Sequence, residues 1–153
     1  MTSPSSRQPR VALLLELLLG CVFVYAGVLK AWDPAAFAND VSNYRILGPV
    51  LSAMGAVYLP WLEILAGGAL LARRARIAAL WLLLLLGLCF CAGLASALLR
   101  GLDIACGCFG GGEGGSLVPA MLRALALVLV SGWLLRAACA GASDSERPPS
   151  GRK

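Results

Sequence analysis

The sequence contains no histidine, and only 14% of its 153 residues are charged. The absence of histidine disfavours zinc sites and histidine-ligated haem, because both commonly depend on imidazole nitrogen. The low charge content leaves too little polar surface to cover a protein of this size in water. With 59% hydrophobic residues and a mean hydropathy of +0.82, the chain is expected to reside in a lipid bilayer.

Hydrophobic runs account for most of the chain. About 20 apolar residues are needed to cross a hydrocarbon core about 30 Å thick, and four stretches meet that length: residues 11–32, 49–72, 77–99 and 117–139. We therefore predict an all-α fold, a four-helix transmembrane bundle forming one membrane domain over residues 11–139. The first run exceeds the roughly 7–15 apolar residues of a signal peptide, so we expect a retained helix. Residues 1–10 and 140–153 are expected to be disordered cytoplasmic tails.

The basic residues are distributed asymmetrically between the loops. Because cytoplasmic loops carry an excess of Lys and Arg, we expect both termini in the cytoplasm and the loop after the third span outside it. The net charge of +5 then reflects topology and attraction to anionic lipid, not a nucleic-acid partner. The basic residues expected on the cytoplasmic side are Arg7, Arg10, Arg73, Arg74, Arg76, Arg136, Arg147, Arg152 and Lys153. Those expected on the outer side are Lys30, Arg45 and Arg100.

Two cysteines, Cys106 and Cys108, lie in the loop expected on the outward, oxidising side of the membrane, where thiols tend to form disulfides. Residues two apart can place their α-carbons within the roughly 4.4–6.8 Å that a disulfide requires, and Gly107 supplies backbone freedom. A bridge that closes so short a loop is expected to be easily reduced, which suits transfer of redox equivalents to a partner. A static bridge or two free thiols are equally compatible with the sequence.

Other sequence features give little indication of a ligand site. The glycine-rich stretch 107–115 lacks the Gly-Lys-Ser/Thr ending of a phosphate loop, so it does not indicate nucleotide binding. We predict neither a metal nor a cofactor. The remaining cysteines fall within or at the edges of the spans, where cysteine usually acts as a small hydrophobic residue. They are Cys21, Cys89, Cys91 and Cys139, of which Cys21 and Cys89 lie at similar depth and leave an internal pair open.

Charged residues inside a span cost about 2.5–3.5 kcal/mol on insertion scales, so each is a functional candidate. Glu63 follows Pro60, which is expected to kink the second span, and either lines a polar cavity or belongs to a buried structural pair. Arg123 lies nearer the outer face, where it can pair with Glu63 or extend toward Asp103 or Glu113 in the outer loop.

Two features near the ends of the spans are expected to be structural. Glu16 lies near the inner face, and we expect it to reach Arg10 or the arginines of residues 73–76. Residues 37–47 follow the end of the first span and are expected to form a short amphipathic helix at the membrane surface.

Five segments, in order along the chain, resemble the methylamine-utilisation MauE family, a branch of the DoxX-like integral membrane proteins. The most specific segment is 100–110 (RGLDIACGCFG), in which Cys-Gly-Cys-Phe-Gly follows Arg-Gly. The others are 24–30 (VYAGVLK) with Asp33, Pro34 and Phe37, then 44–47 (YRIL), 59–63 (LPWLE) and 122–123 (LR).

The resemblance implies a four-helix protein of the bacterial inner membrane. In the type member of the family, such a protein is associated with maturation of methylamine dehydrogenase, through transport or disulfide formation of its small subunit in the periplasm. The resemblance also implies that Cys106 and Cys108 correspond to the family's paired cysteines. Lys30, Glu63 and Arg123 correspond to its recurrent polar positions.

Competing functions follow from these observations. Our leading hypothesis is that the protein assists thiol-disulfide exchange, with Cys106 and Cys108 as the catalytic pair and a periplasmic thioredoxin-like or substrate protein as partner. The alternative is a non-catalytic membrane subunit or small-molecule carrier, in which Lys30, Glu63 and Arg123 line a polar intramembrane cavity. A purely structural assembly factor is a third hypothesis.

Overall fold

Five α-helices make up nearly all of the described chain. A computed structural model describes residues 7–46, 48–101 and 117–145, and this part of the chain contains no strand. In chain order the helices are α1 (Arg7–Trp32), α2 (Pro34–Asn43), α3 (Pro49–Leu71), α4 (Arg76–Leu99) and α5 (Leu117–Ser145). The prediction of an all-α fold is therefore confirmed.

Four of the helices correspond to the four apolar runs of the sequence. The segments long and apolar enough to cross a membrane are Arg10–Trp32, Pro49–Leu71, Arg76–Leu99 and Leu117–Ala140. Helix α1 begins at Arg7 and α5 continues to Ser145, so both extend beyond the spans that hydropathy alone delimits.

The bundle is built mainly from two helix pairs. The most extensive contacts join α1 to α3 and α4 to α5, while α3 and α4 also touch. One core cluster draws on α1, α3, α4 and α5, with Leu80, Leu83 and Leu134 fully buried. Large apolar side chains such as Leu18 and Leu129 remain exposed on the outside of the bundle, as expected for helices whose outer faces contact hydrocarbon.

Glycine allows α1 to approach α3 closely. A β-carbon at Gly27 would lie 2.7 Å from the carbonyl oxygen of Pro60, and one at Gly67 would lie 2.8 Å from the carbonyl oxygen of Gly20. Only a residue without a side chain fits at such distances. Helix α3 continues through Pro60, whose side chain is fully buried in this contact region.

Helix α2 folds back against α3 directly after α1 ends. The Asp33 carboxylate accepts a hydrogen bond from the Ala36 amide at 2.9 Å, and Pro34 occupies the start of the helix, where its missing N–H is not needed. Phe37 turns toward the bundle and is buried. A short helix is thus present where one was predicted over residues 37–47, but it runs from Pro34 to Asn43. It begins earlier because Asp33 and Pro34 initiate it, and Tyr44 caps its end.

An ion pair ties the opposite end of the bundle together. Glu16 of α1 is 2% exposed and pairs with Arg76 at the start of α4. Because an ionised carboxylate is costly to bury alone, the arginine compensates for its removal from water. Glu16 therefore has the structural role expected from its position near the arginines of residues 73–76.

Candidate functional site

A buried ion pair connects the last turn of α1 to the middle of α3. The Lys30 Nζ donates to both carboxylate oxygens of Glu63, at 2.6 Å and 2.7 Å. Both residues are almost inaccessible, with exposed fractions of 7% and 6%. The pair depends on the glycine contact between the helices, since a β-carbon at Gly27 would lie 3.2 Å from the Glu63 Cβ. Close helix packing therefore positions the two charges.

Helix α2 contributes to the same site through Phe37. The Lys30 Nζ lies 5.4 Å from the centroid of the Phe37 ring, within the range of a cation–π interaction. The lysine ammonium thus has a carboxylate on α3 and an aromatic ring on α2 as partners. The Asp33 cap places Phe37 there, so the short surface helix helps to build the intramembrane site.

Arg123 lines the same small cavity as the ion pair. This inner cavity has a volume of about 60 Å³, and Lys30, Glu63 and Arg123 all contribute to its wall. Apolar side chains such as Phe23 and Leu127 form much of the rest. A space of this size can hold a few water molecules, because one water requires only about 10–15 Å³ of such volume. The structure therefore brings together the three polar residues singled out from the sequence.

A second, larger space adjoins the inner cavity. We call it the α2 groove: it lies between α2, α3 and α4, has a volume of about 460 Å³, and includes Asp40, Tyr44 and Gly93 in its wall. Glu63, Leu86 and Phe90 line both spaces. Glu63 therefore lies at the boundary between the inner cavity and the α2 groove.

Arg100 forms a contact that sequence analysis missed. Its guanidinium donates to the carbonyl oxygens of Tyr44 and Arg45, each at 3.2 Å, and so links the end of α4 to the end of α2. Arg45 has a φ of +51°, a left-handed conformation that is unusual outside glycine. The sequence contained part of the signal for this contact, because Arg100 and the Tyr44-Arg45 pair belong to two segments of the family resemblance. One sequence alone does not show that the two segments touch.

The cysteines separate into two groups. Cys106 and Cys108 lie outside the described residues. Among the described cysteines there is no disulfide, so Cys21 and Cys89 do not form the internal pair that their depth left open. Cys91 is buried in a cluster with Leu94 and acts as a small apolar residue.

Comparison with known proteins identifies the family. A family model described as "Methylamine utilisation protein MauE" matches residues 8–137, which include the first three spans, the fourth span as far as residue 137, and all residues that line the inner cavity. The chain belongs to the MauE family. A relative named "Methylamine utilization protein MauE" from Paracoccus denitrificans is 37% identical over 110 residues, which cover 69% of this chain and 57% of the relative.

The MauE resemblance seen in the sequence is thereby confirmed. The chain spans somewhat more than half the length of that relative. No solved structure matches the chain. The four spanning helices make this MauE-family protein a multi-pass membrane protein whose surroundings are a lipid bilayer.

Proposed function

We propose that this protein resides in a bacterial inner membrane and assists thiol-disulfide exchange during maturation of an exported protein. The observation that carries the proposal is the family match over residues 8–137, which includes the Cys106-Gly107-Cys108 triplet. The name of the Paracoccus denitrificans relative supports a client in methylamine metabolism, and methylamine dehydrogenase is the candidate implied by the family resemblance.

The charge distribution supports an extracytoplasmic position for the cysteine pair. Helix α4 runs from Arg76 to Leu99 and is long enough to cross a membrane, which supports a position of its Leu99 end on the face opposite the arginines of residues 73–76. Both termini are then cytoplasmic under the positive-inside rule. An oxidising outer compartment favours disulfide formation by Cys106 and Cys108.

The proposed chemistry is a two-step exchange that moves two electrons. A client thiolate attacks the Cys106–Cys108 disulfide and forms a mixed disulfide with one cysteine, while the other leaves as a thiolate. A second client thiolate then attacks the mixed disulfide, which leaves the client oxidised and the pair reduced. A periplasmic thioredoxin-like protein in its disulfide form is the partner that accepts these two electrons and regenerates the bridge.

Trapping the mixed disulfide tests this function. A Cys108→Ala variant retains Cys106, whose thiolate can attack the disulfide of the thioredoxin-like partner or of an oxidised client. The variant has no second cysteine to resolve the resulting mixed disulfide, so it should accumulate a covalent adduct that dithiothreitol releases. The adduct, identified by mass spectrometry, should be an exported client or a thioredoxin-like protein. A Cys21→Ala variant serves as the control and should trap nothing. The proposal fails if the Cys106→Ala and Cys108→Ala variants form no adduct and mature the client at the normal rate.

A second candidate function is a small-molecule carrier or a non-catalytic membrane subunit. The observation that favours it is that Lys30, Glu63 and Arg123 line one cavity inside the bundle. Glu63→Gln should then abolish the cellular function while cysteine variants retain it, and Glu16→Gln controls for loss of a buried carboxylate elsewhere. The opposite pattern, with loss confined to the cysteine variants, excludes the carrier function.

A further inference from the structure

The α2 groove has the size and lining of a site for a small organic molecule. Its volume of about 460 Å³ lies within the range of about 300–1,000 Å³ typical of ligand pockets. Its wall follows α4 from Leu86 to Ser96, a distance of about 15 Å at 1.5 Å per residue. Leu59, Leu86 and Phe90 give the deeper part an apolar surface. An elongated apolar body therefore fits along the groove.

The charged residues of the groove have one sign. Asp40 and Glu63 are both acidic, and no basic side chain belongs to the part of the wall that the structure describes. Lys30 balances Glu63 from the inner-cavity side. Asp40 forms no ion pair within residues 7–46, 48–101 and 117–145. The groove thus presents one carboxylate whose charge the described bundle does not compensate.

Three aromatic rings accompany these carboxylates. Phe37, Tyr44 and Phe90 all contribute to the groove. Aromatic faces attract organic cations, and combinations of aromatic rings with acidic groups recognise alkylated ammonium ions. Burial removes part of the hydration of the Asp40 carboxylate and thereby raises its pKa from the ordinary value of 3.8. A cation bound beside this carboxylate would restore the stabilisation that water otherwise provides.

The protein itself provides a precedent for this recognition. Lys30 is a primary alkylammonium group, and it is held by Glu63 at 2.6 Å and by the Phe37 ring at 5.4 Å from the centroid. Both partners also line the groove. One carboxylate and one ring therefore already bind an ammonium at the inner end of the groove. Asp40 of α2 and Tyr44, the residue that follows α2, are a second carboxylate and ring in the same groove.

We propose that the α2 groove binds an organic ammonium ion with an apolar body, whose charged group lies at Asp40 and Tyr44 and whose hydrocarbon part extends toward Leu86 and Phe90. The charged end then lies on the surface helix and the apolar end lies in the membrane interior. This inference names a ligand class for the carrier candidate, and it is independent of the thiol-exchange proposal.

Calorimetric titration of the full chain in lipid nanodiscs tests the proposal, with empty nanodiscs as the baseline for partitioning into lipid. The probe is hexylammonium, with hexan-1-ol as its neutral counterpart and methylammonium as a cation without an apolar body. Hexylammonium should show saturable binding at least about tenfold tighter than either comparison, a difference of about 1.4 kcal/mol.

Two pairs of variants locate the site. Asp40→Asn should weaken hexylammonium binding about tenfold or more, whereas Asp33→Asn removes the same charge outside the groove and retains a helix-capping side chain. Gly93→Leu should block binding by filling the groove, whereas Gly68→Leu should not, because both glycines have open space around a β-carbon but only Gly93 lines the groove.

Three results would overturn the inference. Binding of hexan-1-ol as tight as that of hexylammonium would show a cleft for neutral lipid chains. Equal affinities in wild type, Asp40→Asn and Gly93→Leu would show that the cation binds elsewhere. No saturable binding of hexylammonium would show that the groove takes no such ligand, and this result would leave the trapping experiment on Cys106 and Cys108 unaffected.

Discussion

Lys30 and Glu63 satisfy each other in a place where neither charge is stable alone. Each is more than nine-tenths buried, and two short hydrogen bonds join them. A buried pair gains little over apolar residues of the same volume, but removal of one partner leaves an uncompensated charge. The pair therefore contributes specificity to the contact between α1 and α3 more than it contributes net stability.

Replacement of one member of the pair is predicted to cost more than replacement of both. Lys30→Met should destabilise the folded protein by about 3–5 kcal/mol, because Glu63 is left buried without its cation. The double variant Lys30→Met with Glu63→Gln should recover much of that loss. Unfolding in mixed micelles by titration with dodecyl sulfate measures both. Additive effects of the two substitutions would contradict a coupled pair.

Asp40 gives a prediction about pH. Burial raises its pKa above 3.8, so the folded state holds the proton more tightly than the unfolded state does. As pH rises from 3.8 through the folded pKa, the unfolded state releases its proton first, and stability falls. Asp40→Asn removes this fall in stability because the amide does not ionise. The melting temperature of the variant should therefore exceed that of wild type. The difference should grow as pH rises from 3.8 through the folded pKa of Asp40, and it should be constant at higher pH.

Thermal unfolding at several pH values checks the Asp40 prediction, with Asp33→Asn as the control outside the groove. The same groove contains Glu63, whose contribution is common to both proteins and cancels in the difference. A margin between Asp40→Asn and wild type that is independent of pH would contradict the effect of burial on this carboxylate.

Sequence reasoning located part of the site at the level of single residues. Glu63 and Arg123 were identifiable because a charge inside an apolar span is costly, and Lys30 followed from the family resemblance. Asp40 and Phe37 were not identifiable as site residues, because they line the groove only after α2 folds back onto α3. That reversal depends on the Asp33 cap and on a tertiary contact without a periodic signature.

At the level of helices, the spans could be predicted but their partners could not. Hydropathy identifies four apolar segments, yet all four are hydrophobic around most of their surface, so no stripe indicates which face meets which neighbour. The pairing of α1 with α3 depends on Gly20, Gly27 and Gly67, whose positions allow backbones to meet. A β-carbon at Gly68, by contrast, would meet open space. The presence of a glycine in the sequence therefore does not by itself identify a helix contact.

The glycine contact predicts opposite effects at two positions. Gly27→Ala should destabilise the bundle by about 1–3 kcal/mol, since its β-carbon would overlap the Pro60 carbonyl oxygen and force α1 away from α3. Gly68→Ala should leave stability unchanged or slightly higher, because it meets no neighbour and favours the helix. Equal melting temperatures of the two variants in detergent would contradict this packing.

For the whole molecule, composition predicted the class of protein and the family match confirmed the resemblance. The scarcity of charge indicated a membrane protein, and the four spanning helices agree with that prediction. The absence of histidine disfavours zinc sites and histidine-ligated haem, which stays a prediction. Orientation in the membrane is a separate inference from the positions of the arginines. It decides whether Cys106 and Cys108 face an oxidising compartment, and the thiol-exchange function depends on it.

Labelling of intact cells with a membrane-impermeant maleimide tests this orientation most directly. In a variant that retains only Cys106, with all other cysteines replaced by alanine, the thiol should react before the cells are permeabilised. In a second variant, all six native cysteines are replaced by alanine and Arg74→Cys introduces a single new thiol. This thiol should react only after permeabilisation. The reverse pattern, with Cys106 protected and position 74 accessible from outside, would contradict the proposed function.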